Sequence, residues 1–417
     1  MPSTSDGAFV WVWLPGADAP VVAGRVLSSK GRRPGERYRF GYGESYLARP
    51  NRVSLFTPEL PLRPGWAGPP DGMSMAGCLW DASPDSWGQR IIIARLNGLH
   101  GAAADAVAFD RITFLLESGS NRIGGLDFQA RADEYVPRSD ASSLDELHAA
   151  ADALQGGELL SPDLAAALVH GTSVGGARPK VLVEEDGLQF IAKLSMSSDT
   201  YPVVKAEAAA LELARRVGLD VPASRLTTSL GREVLLVERF DRPRGGRRRM
   251  LVSGLTMLGF DDFLGARYGS YPQMLDVLLK LSASGQNLAR RVFERIVFNV
   301  VIGNTDDHAR NHAAFWDGKH LEITPAYDLC PQPRSGTEAK QAMDVSLSGA
   351  RDSTFAMCVR AAAEYGLTAG QAQEIVDHQV AVVRECWPDV CETARLTRLD
   401  SAAMFGRQIL NPYAFTA

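Results

Sequence analysis

Apolar and polar positions along the chain change period several times. Between residues 8 and 56, short runs such as FVWVWL, PVVAGRV, RYRFGY and RVSLF are aromatic or β-branched and are separated by Gly, Pro and Asp. That texture predicts strands. SPDSWGQRIIIARLNG then predicts a capped helix, with Ser83 or Asp85 at its start and Gly98 near its end. A further helix and an irregular stretch are expected over 105–130, and two helical segments over 139–170, with Ser143 and Ser161 as N-caps. After residue 171 the texture changes. KVLVEE and LQFIAKL alternate about Asp186-Gly187, the pattern of a hairpin. Residues 203–217 are strongly helical and stop at Gly218. ASRLTTSL and REVLLVERF read as two more strands. Helical segments follow over 271–303, 353–366 and 368–386, around an irregular stretch at 304–335.

Composition narrows the class without naming a function. At 417 residues the chain is too long for one ordinary core, so two or three domains are expected. A net charge of −5 argues against a protein that coats nucleic acid generally, although RPRGGRRR at 242–249 leaves open a local basic patch or a solvated loop. The five cysteines (Cys78, Cys330, Cys358, Cys386 and Cys391) lack CxxC spacing. They read as reduced thiols of a cytoplasmic protein, with neither zinc site nor disulfide framework. No basic leader precedes the first apolar stretch, and no run of about 20 apolar residues predicts a membrane span.

Four separate pieces carry candidate chemistry. GNTDDHARN at 303–311 follows the apolar segment RVFERIVFNVVIG and places Asp306 and Asn311 at D-x-x-x-x-N spacing. Phosphoryl transfer to a hydroxyl needs a carboxylate to orient the nucleophile and an oxygen ligand for Mg²⁺ nearby. Arg310 can neutralise a moving phosphoryl group; a polar turn after a helix is the plainer reading. In ITPAYDLCP at 323–331, Asp328 ends a short apolar strand and suits a second Mg²⁺ ligand, though Tyr-Asp after a strand is commonly a turn. Lys193, in LQFIAKLS, either faces a nucleotide cleft with Glu207 on the next helix as partner or points to solvent. SVGGARPK at 173–180 is either a phosphate-approaching loop or an ordinary glycine-rich turn.

In order and spacing, TSVGGARPK, FIAKL, LLVERFDR, GNTDDHARN and AYDLCP resemble the HipA-type serine/threonine kinases, toxins of type II toxin–antitoxin pairs. The resemblance covers nearly the whole chain. It implies an α+β, protein kinase-like bilobal fold with a β-rich N-terminal subdomain and a mostly helical C-terminal lobe. The expected divisions are an N-terminal subdomain at 1–135, a small lobe at 136–245 and a helical lobe at 246–417. It implies Asp306 as catalytic, Asn311 and Asp328 as Mg²⁺ ligands, Lys193 as the phosphate-binding lysine and Glu207 as its ion-pair partner. Gly175, Gly176, Ala177, Arg178, Pro179 and Lys180 match the nucleotide-covering loop, and Glu238, Arg239 and Phe240 the adenine hinge. His308, Ala309, Arg310 and Tyr327 line the ATP site in such enzymes, and Ser173 matches the autophosphorylated serine. A phosphate on that serine is expected to eject the loop from the ATP site. The implied cofactors are ATP and Mg²⁺. The implied partners are a small HipB-like helix-turn-helix antitoxin, operator DNA reached through it, and a protein substrate in translation such as an aminoacyl-tRNA synthetase. Two departures stand out: Asp307 occupies a position where Gly is common, and Arg310 one where Lys is common. Asp307 either faces away from the metal site or tunes the base.

Two other classes remain open from the residues. One is a small-molecule kinase of related fold. The other is a partner-dependent transcriptional co-repressor, for which the basic run 242–249 is the feature of interest.

Overall fold

The computed structural model describes residues 6–29, 37–97, 109–138, 142–158, 161, 164–165, 168–169, 178–283, 287–334 and 336–417. Ser173, Gly175, Gly176 and Ala177 lie outside them. The chain forms two compact units. The first holds residues 1–198, 227–252 and 315–319, and the second holds 199–226, 253–314 and 320–417.

The first unit opens with an antiparallel sheet of β1 (Gly7–Val12), β2 (Val21–Ser29), β3 (Arg37–Tyr42), β4 (Trp66–Ala67) and β5 (Leu126–Gln129), in the order β4-β3-β2-β1-β5. On β3 the alternation is strict: Tyr38, Phe40 and Tyr42 are buried while Arg37 and Arg39 are exposed. RVSLF, expected as a strand, is not one. Its backbone is held by side chains instead: the Leu55 N–H donates to the Tyr42 hydroxyl (2.9 Å) and the Trp316 indole N–H to the Ser54 carbonyl (2.8 Å). Helix α1 (Ser86–Asn97) and α2 (Leu144–Gln155) follow. Ser143 and Glu146 close a reciprocal capping box at the start of α2, and the Ser161 hydroxyl accepts from the Leu164 N–H (3.3 Å).

A second antiparallel sheet contains β6 (Lys180–Glu185), β7 (Leu188–Leu194), β8 (Ser224–Ser229) and β9 (Arg232–Glu238), in the order β6-β7-β9-β8. The β6–β7 turn works because Asp186 (φ 52°) and Gly187 (φ 71°) both adopt the left-handed conformation that a two-residue hairpin requires. Phe190, Ala192 and Leu194 of β7 pack with Trp87, Ile91, Leu147, Val181, Val234 and Leu236 in one apolar core. Period-two alternation therefore sends Lys193 to the opposite face.

The segment after β9 is held by buried ion pairs. Arg239 and Arg242 both bond the Asp241 carboxylate (2.8 and 2.9 Å), and Arg239 also donates to the Arg122 carbonyl (2.7 Å). Asp241 accepts the Gly124 N–H (2.8 Å), and Arg242 reaches the Gly124 carbonyl (2.8 Å). Arg248 lies over the Trp13 ring and Arg249 over the Phe315 ring. Three of the five arginines in the run 242–249 (Arg242, Arg248 and Arg249) are thus held by partners within the unit, while residues 243–247, with Arg244 and Arg247, are exposed as in the solvated-loop reading.

The second unit is mainly helical, with α3 (Val203–Arg216), α4 (Tyr271–Leu281), α5 (Leu288–Ile302) and α6 (Ala369–Thr393) as its longer helices. Short strands β10 (Leu251–Ser253), β11 (Ala313–Trp316) and β12 (Leu321–Ile323) form near points where the chain changes unit; the first two were not expected. Helix α6 runs past residue 386, where its end was expected, and continues through Pro388 to Thr393. Among the described residues no helix is long and apolar enough to cross a membrane, and all five cysteines are free thiols.

Two stability predictions follow from packing. Gly303 caps α5 at φ 65°, and a Cβ there would lie 2.5 Å from the Gln408 carbonyl oxygen. Gly303→Ala therefore adds left-handed strain to a backbone clash, and urea unfolding is expected to show a loss of roughly 2–4 kcal/mol; a loss under about 1 kcal/mol would contradict this packing. Asp241→Ala leaves buried guanidinium charge uncompensated, at an expected cost of about 3–5 kcal/mol at neutral pH. Burial alone would raise the Asp241 pKa, but Arg239, Arg242 and the Gly124 N–H hold it well below the usual carboxylate range. A depressed carboxylate pKa stabilises above the unfolded value of about 4 and loses that contribution as pH falls below it. The gap in urea midpoint between wild type and Asp241→Asn should accordingly narrow below about pH 4. A gap that stays constant down to about pH 3 would show that the Asp241 charge contributes nothing.

Candidate functional site

The site in the second unit begins where α5 stops. At Gly303 the chain turns, and Asn304 folds back, its N–H on the Asn299 carbonyl (2.9 Å) and its amide nitrogen on Asn299 Oδ1 (2.9 Å). The chain then presents two successive carboxylates in opposite directions. Asp306 is exposed; Asp307 is 1% exposed. Asp307 Oδ2 accepts from the Tyr271 hydroxyl (2.6 Å), Asn299 Nδ2 (2.6 Å) and His312 Nε2 (2.8 Å). A carboxylate oxygen accepts, so His312 Nε2 is the donor in this contact. Burial, then the Asp307 charge, pushes the Tyr271 pKa far up, which keeps its proton available to donate. Of the two sequence readings of Asp307, the orientation matches the first: the side chain faces away, into the core, and anchors the loop.

A single 3-10 turn, Ala309–Asn311, completes the loop. The His308 N–H donates to the Asp306 carbonyl (2.9 Å), the Asn311 N–H to the His308 carbonyl (2.8 Å), and Asn311 Nδ2 to the Asp306 carbonyl (3.3 Å). With its nitrogen so used, Asn311 has Oδ1 as the atom able to ligate a cation. Gly254 presses on this turn: its N–H donates to the His312 carbonyl (2.7 Å), and a Cβ on it would fall 2.4 Å from the Ala309 carbonyl oxygen.

Asp328, expected at the end of a strand, lies five residues past β12 in irregular backbone, and the segment leading to it is tied to the same framework. The Thr324 N–H and Oγ1 both donate to the Ala313 carbonyl (3.1 Å each), and the buried Arg295 guanidinium donates to the Thr324 carbonyl. Burial, and then Arg291, lowers the Arg295 pKa to about 10, so it stays cationic at neutral pH. The Tyr327 hydroxyl donates to the Arg310 carbonyl (2.7 Å), joining the two loops. Asp328 sits at φ 58°, a left-handed conformation uncommon for a residue other than glycine and characteristic of constrained sites.

The Asp306 and Asp328 carboxylates act on one another. Burial raises the Asp306 pKa; His308 opposes the shift, and the charges of Asp328 and Asp307 add to it. Mutual repulsion between the Asp306 and Asp328 carboxylates is what a bound divalent cation relieves. Among the described residues no three His, Cys, Asp or Glu side chains converge as a metal cluster. Asn311 Oδ1 and the Asp328 carboxylate are a pair of hard oxygen donors, and such a pair fits Mg²⁺, which takes its remaining ligands from phosphates and water.

The other expected residues fall as follows. Lys180 and Lys193 are register partners on β6 and β7, on the sheet face away from the core. Arg178 is exposed, and the Pro179 carbonyl accepts the Leu194 N–H (3.3 Å). Glu238 ends β9; the Arg239 N–H is committed to the Gln189 carbonyl (2.8 Å) and its side chain to Asp241; Phe240 packs edge-on against Phe315. Glu207 is buried on α3, in the second unit, whereas Lys193 belongs to the first. Sequence reasoning missed Tyr271, Asn299, His312, Arg295 and Gly254. A signal existed for two of them: Arg295 and Asn299 are polar positions four residues apart in the otherwise apolar last eight residues of α5.

Comparison with known proteins bears on the family and the fold. The HipA-like C-terminal domain family matches residues 172–387, just over half of the chain. A putative kinase, Y4mE, of Sinorhizobium fredii is 30% identical over 132 residues, covering 30% of this chain and 31% of that protein. The serine/threonine-protein kinase toxin HipA of Shewanella oneidensis is 29% identical over 184 residues, covering 38% and 42%. These alignments span less than half of the relatives' own lengths. A solved Shewanella oneidensis structure, HipA with HipB and operator DNA, superposes with a TM-score of 0.65 at 16% identity over 95% of this chain and 94% of that one. At that identity the likeness establishes the fold: mixed α+β, with an antiparallel N-terminal sheet, as anticipated. The extent of the family match, joined to this fold, makes the chain a member of the HipA-like C-terminal domain family.

Proposed function

We propose that this protein is an ATP- and Mg²⁺-dependent serine/threonine protein kinase, acting as the toxin of a HipBA-like pair. The observation that carries the reading is the exposed Asp306 carboxylate on a loop whose 3-10 turn folds Asn311 back onto the Asp306 carbonyl, with the Asp328 carboxylate close enough to repel it. Asp306 orients the acceptor hydroxyl and takes its proton as the γ-phosphoryl group transfers in line. Asn311 and Asp328 hold Mg²⁺, whose role is to neutralise charge developing on the phosphates. Lys180 opposite Lys193 supports a phosphate site, since two cations side by side on one sheet face suit the charge of a phosphate. Glu238 and Phe240 hold adenine through their backbone, while the Arg239 side chain keeps that segment in place through Asp241. Ser173 is the self-modification site.

The partners follow the same reading. A HipB-like helix-turn-helix protein restrains the toxin, and operator DNA is reached through it. Burial of Arg242 and the stacking of Arg248 and Arg249 inside the first unit weaken any direct DNA role for the basic run. The substrate class is a protein of translation.

Incubation with γ-labelled ATP and Mg²⁺, followed by mass spectrometry, tests the reading. Label is expected on the chain itself at Ser173, and Asp306→Asn is expected to lower incorporation by about 100-fold or more. Absence of label in the wild type, or equal label in the variant, would overturn it.

A further inference from the structure

The proposed transfer assigns Asp307 no chemical step, yet the second unit turns three buried donors on it. Tyr271 comes from α4, Asn299 from α5, and His312 from the far end of the loop itself. The Tyr271 and His312 rings also meet edge to face at 5.5 Å, so the donors brace one another. A carboxylate withdrawn from water is tolerated only where donors replace its hydration. This one has a single well-defined seat. Turning it out would strand Tyr271 and Asn299 without their acceptor.

The neighbour of that seat is Asp306. Adjacent side chains here point to opposite sides, one into the core and one to solvent. Rotation of the backbone at one residue therefore moves the other. Asn299 has a counterpart one helical turn earlier on the same face of α5: Arg295, whose guanidinium holds the Thr324 carbonyl, four residues before Asp328. The same rigid helix thus touches both chain segments that carry the functional carboxylates. Elements held this way place side chains to a fraction of an ångström, and misplacement by about 1 Å can cost about 100-fold in rate.

We propose that Asp307 is a positioning residue: held by Tyr271, Asn299 and His312, it sets the direction in which Asp306 is presented. What Asp306 does with that direction rests on the kinase reading above. The geometry itself does not.

The test uses the full chain and two variants that remove one donor each, Tyr271→Phe and Asn299→Ala. Steady-state phosphotransfer gives kcat and the KM for ATP, and hydrogen exchange by mass spectrometry follows the amides of 304–312. Both variants are expected to lose about tenfold or more in kcat with KM within about twofold. Exchange should quicken in 304–312 and stay unchanged elsewhere. Asp307→Asn, which keeps an accepting oxygen of the same shape, should retain more kcat than Asp307→Ala. A uniform rise in exchange over the whole second unit, with kcat and KM moving together, would overturn the proposal in favour of a merely structural role. Wild-type kcat in both donor variants would also overturn it. If the wild type transfers no phosphate, the kinase reading fails alone, and exchange decides the inference: unchanged protection of 304–312 in both variants would sink it, and selective loss there would sustain it.

Discussion

The buried Asp307 carboxylate is the interaction on which the second unit is organised. Its desolvation is offset only if several donors arrive from different elements at one point. Tyr271, Asn299 and His312 do so within 2.8 Å of the same oxygen. That convergence fixes where α4 and α5 meet the loop, and it leaves Asp306 outside, with its side chain exposed. The 3-10 turn that follows then swings Asn311 back against the Asp306 carbonyl, so the candidate base and a candidate cation ligand are referred to the same few backbone atoms.

Close backbone contacts make this arrangement stiff. Gly303 gives α5 an abrupt end against the Gln408 carbonyl, and Gly254 lets another segment lie directly on the Ala309 carbonyl. Asp328 occupies a left-handed conformation without being glycine. Strain of this kind persists only where neighbours over-determine it; here Arg295 and Thr324 hold the approach to Asp328, and Tyr327 holds the adjoining loop. The first unit shows the same economy in the segment after β9, where buried guanidinium groups converge on Asp241 and on backbone carbonyls.

Much of this was legible in the residues, and the reason is local. Asp186-Gly187 specifies a tight hairpin whatever surrounds it, Ser143 and Glu146 cap a helix with each other, and Gly218 follows the helix that ends at Arg216. The spacing of Asp306 and Asn311 is likewise a property of one turn. What could not be read depends on distant partners. RVSLF has strand composition, but Tyr42 and Trp316 take its backbone hydrogen bonds. The basic run 242–249 looks solvated until Asp241, Trp13 and Phe315 claim Arg242, Arg248 and Arg249. Asp307 is the sharpest case: beside another aspartate it reads as surplus charge at a metal site, and only donors 5 to 36 positions away turn it inward.

The most direct measurement is a crystal structure of the protein with a non-hydrolysable ATP analogue and Mn²⁺, the metal located by its anomalous signal. The account predicts Mn²⁺ on Asn311 Oδ1 and the Asp328 carboxylate, Asp306 facing the terminal phosphate, and Asp307 still seated on Tyr271, Asn299 and His312. A metal bound elsewhere, or Asp307 turned out to ligate it, would contradict the account.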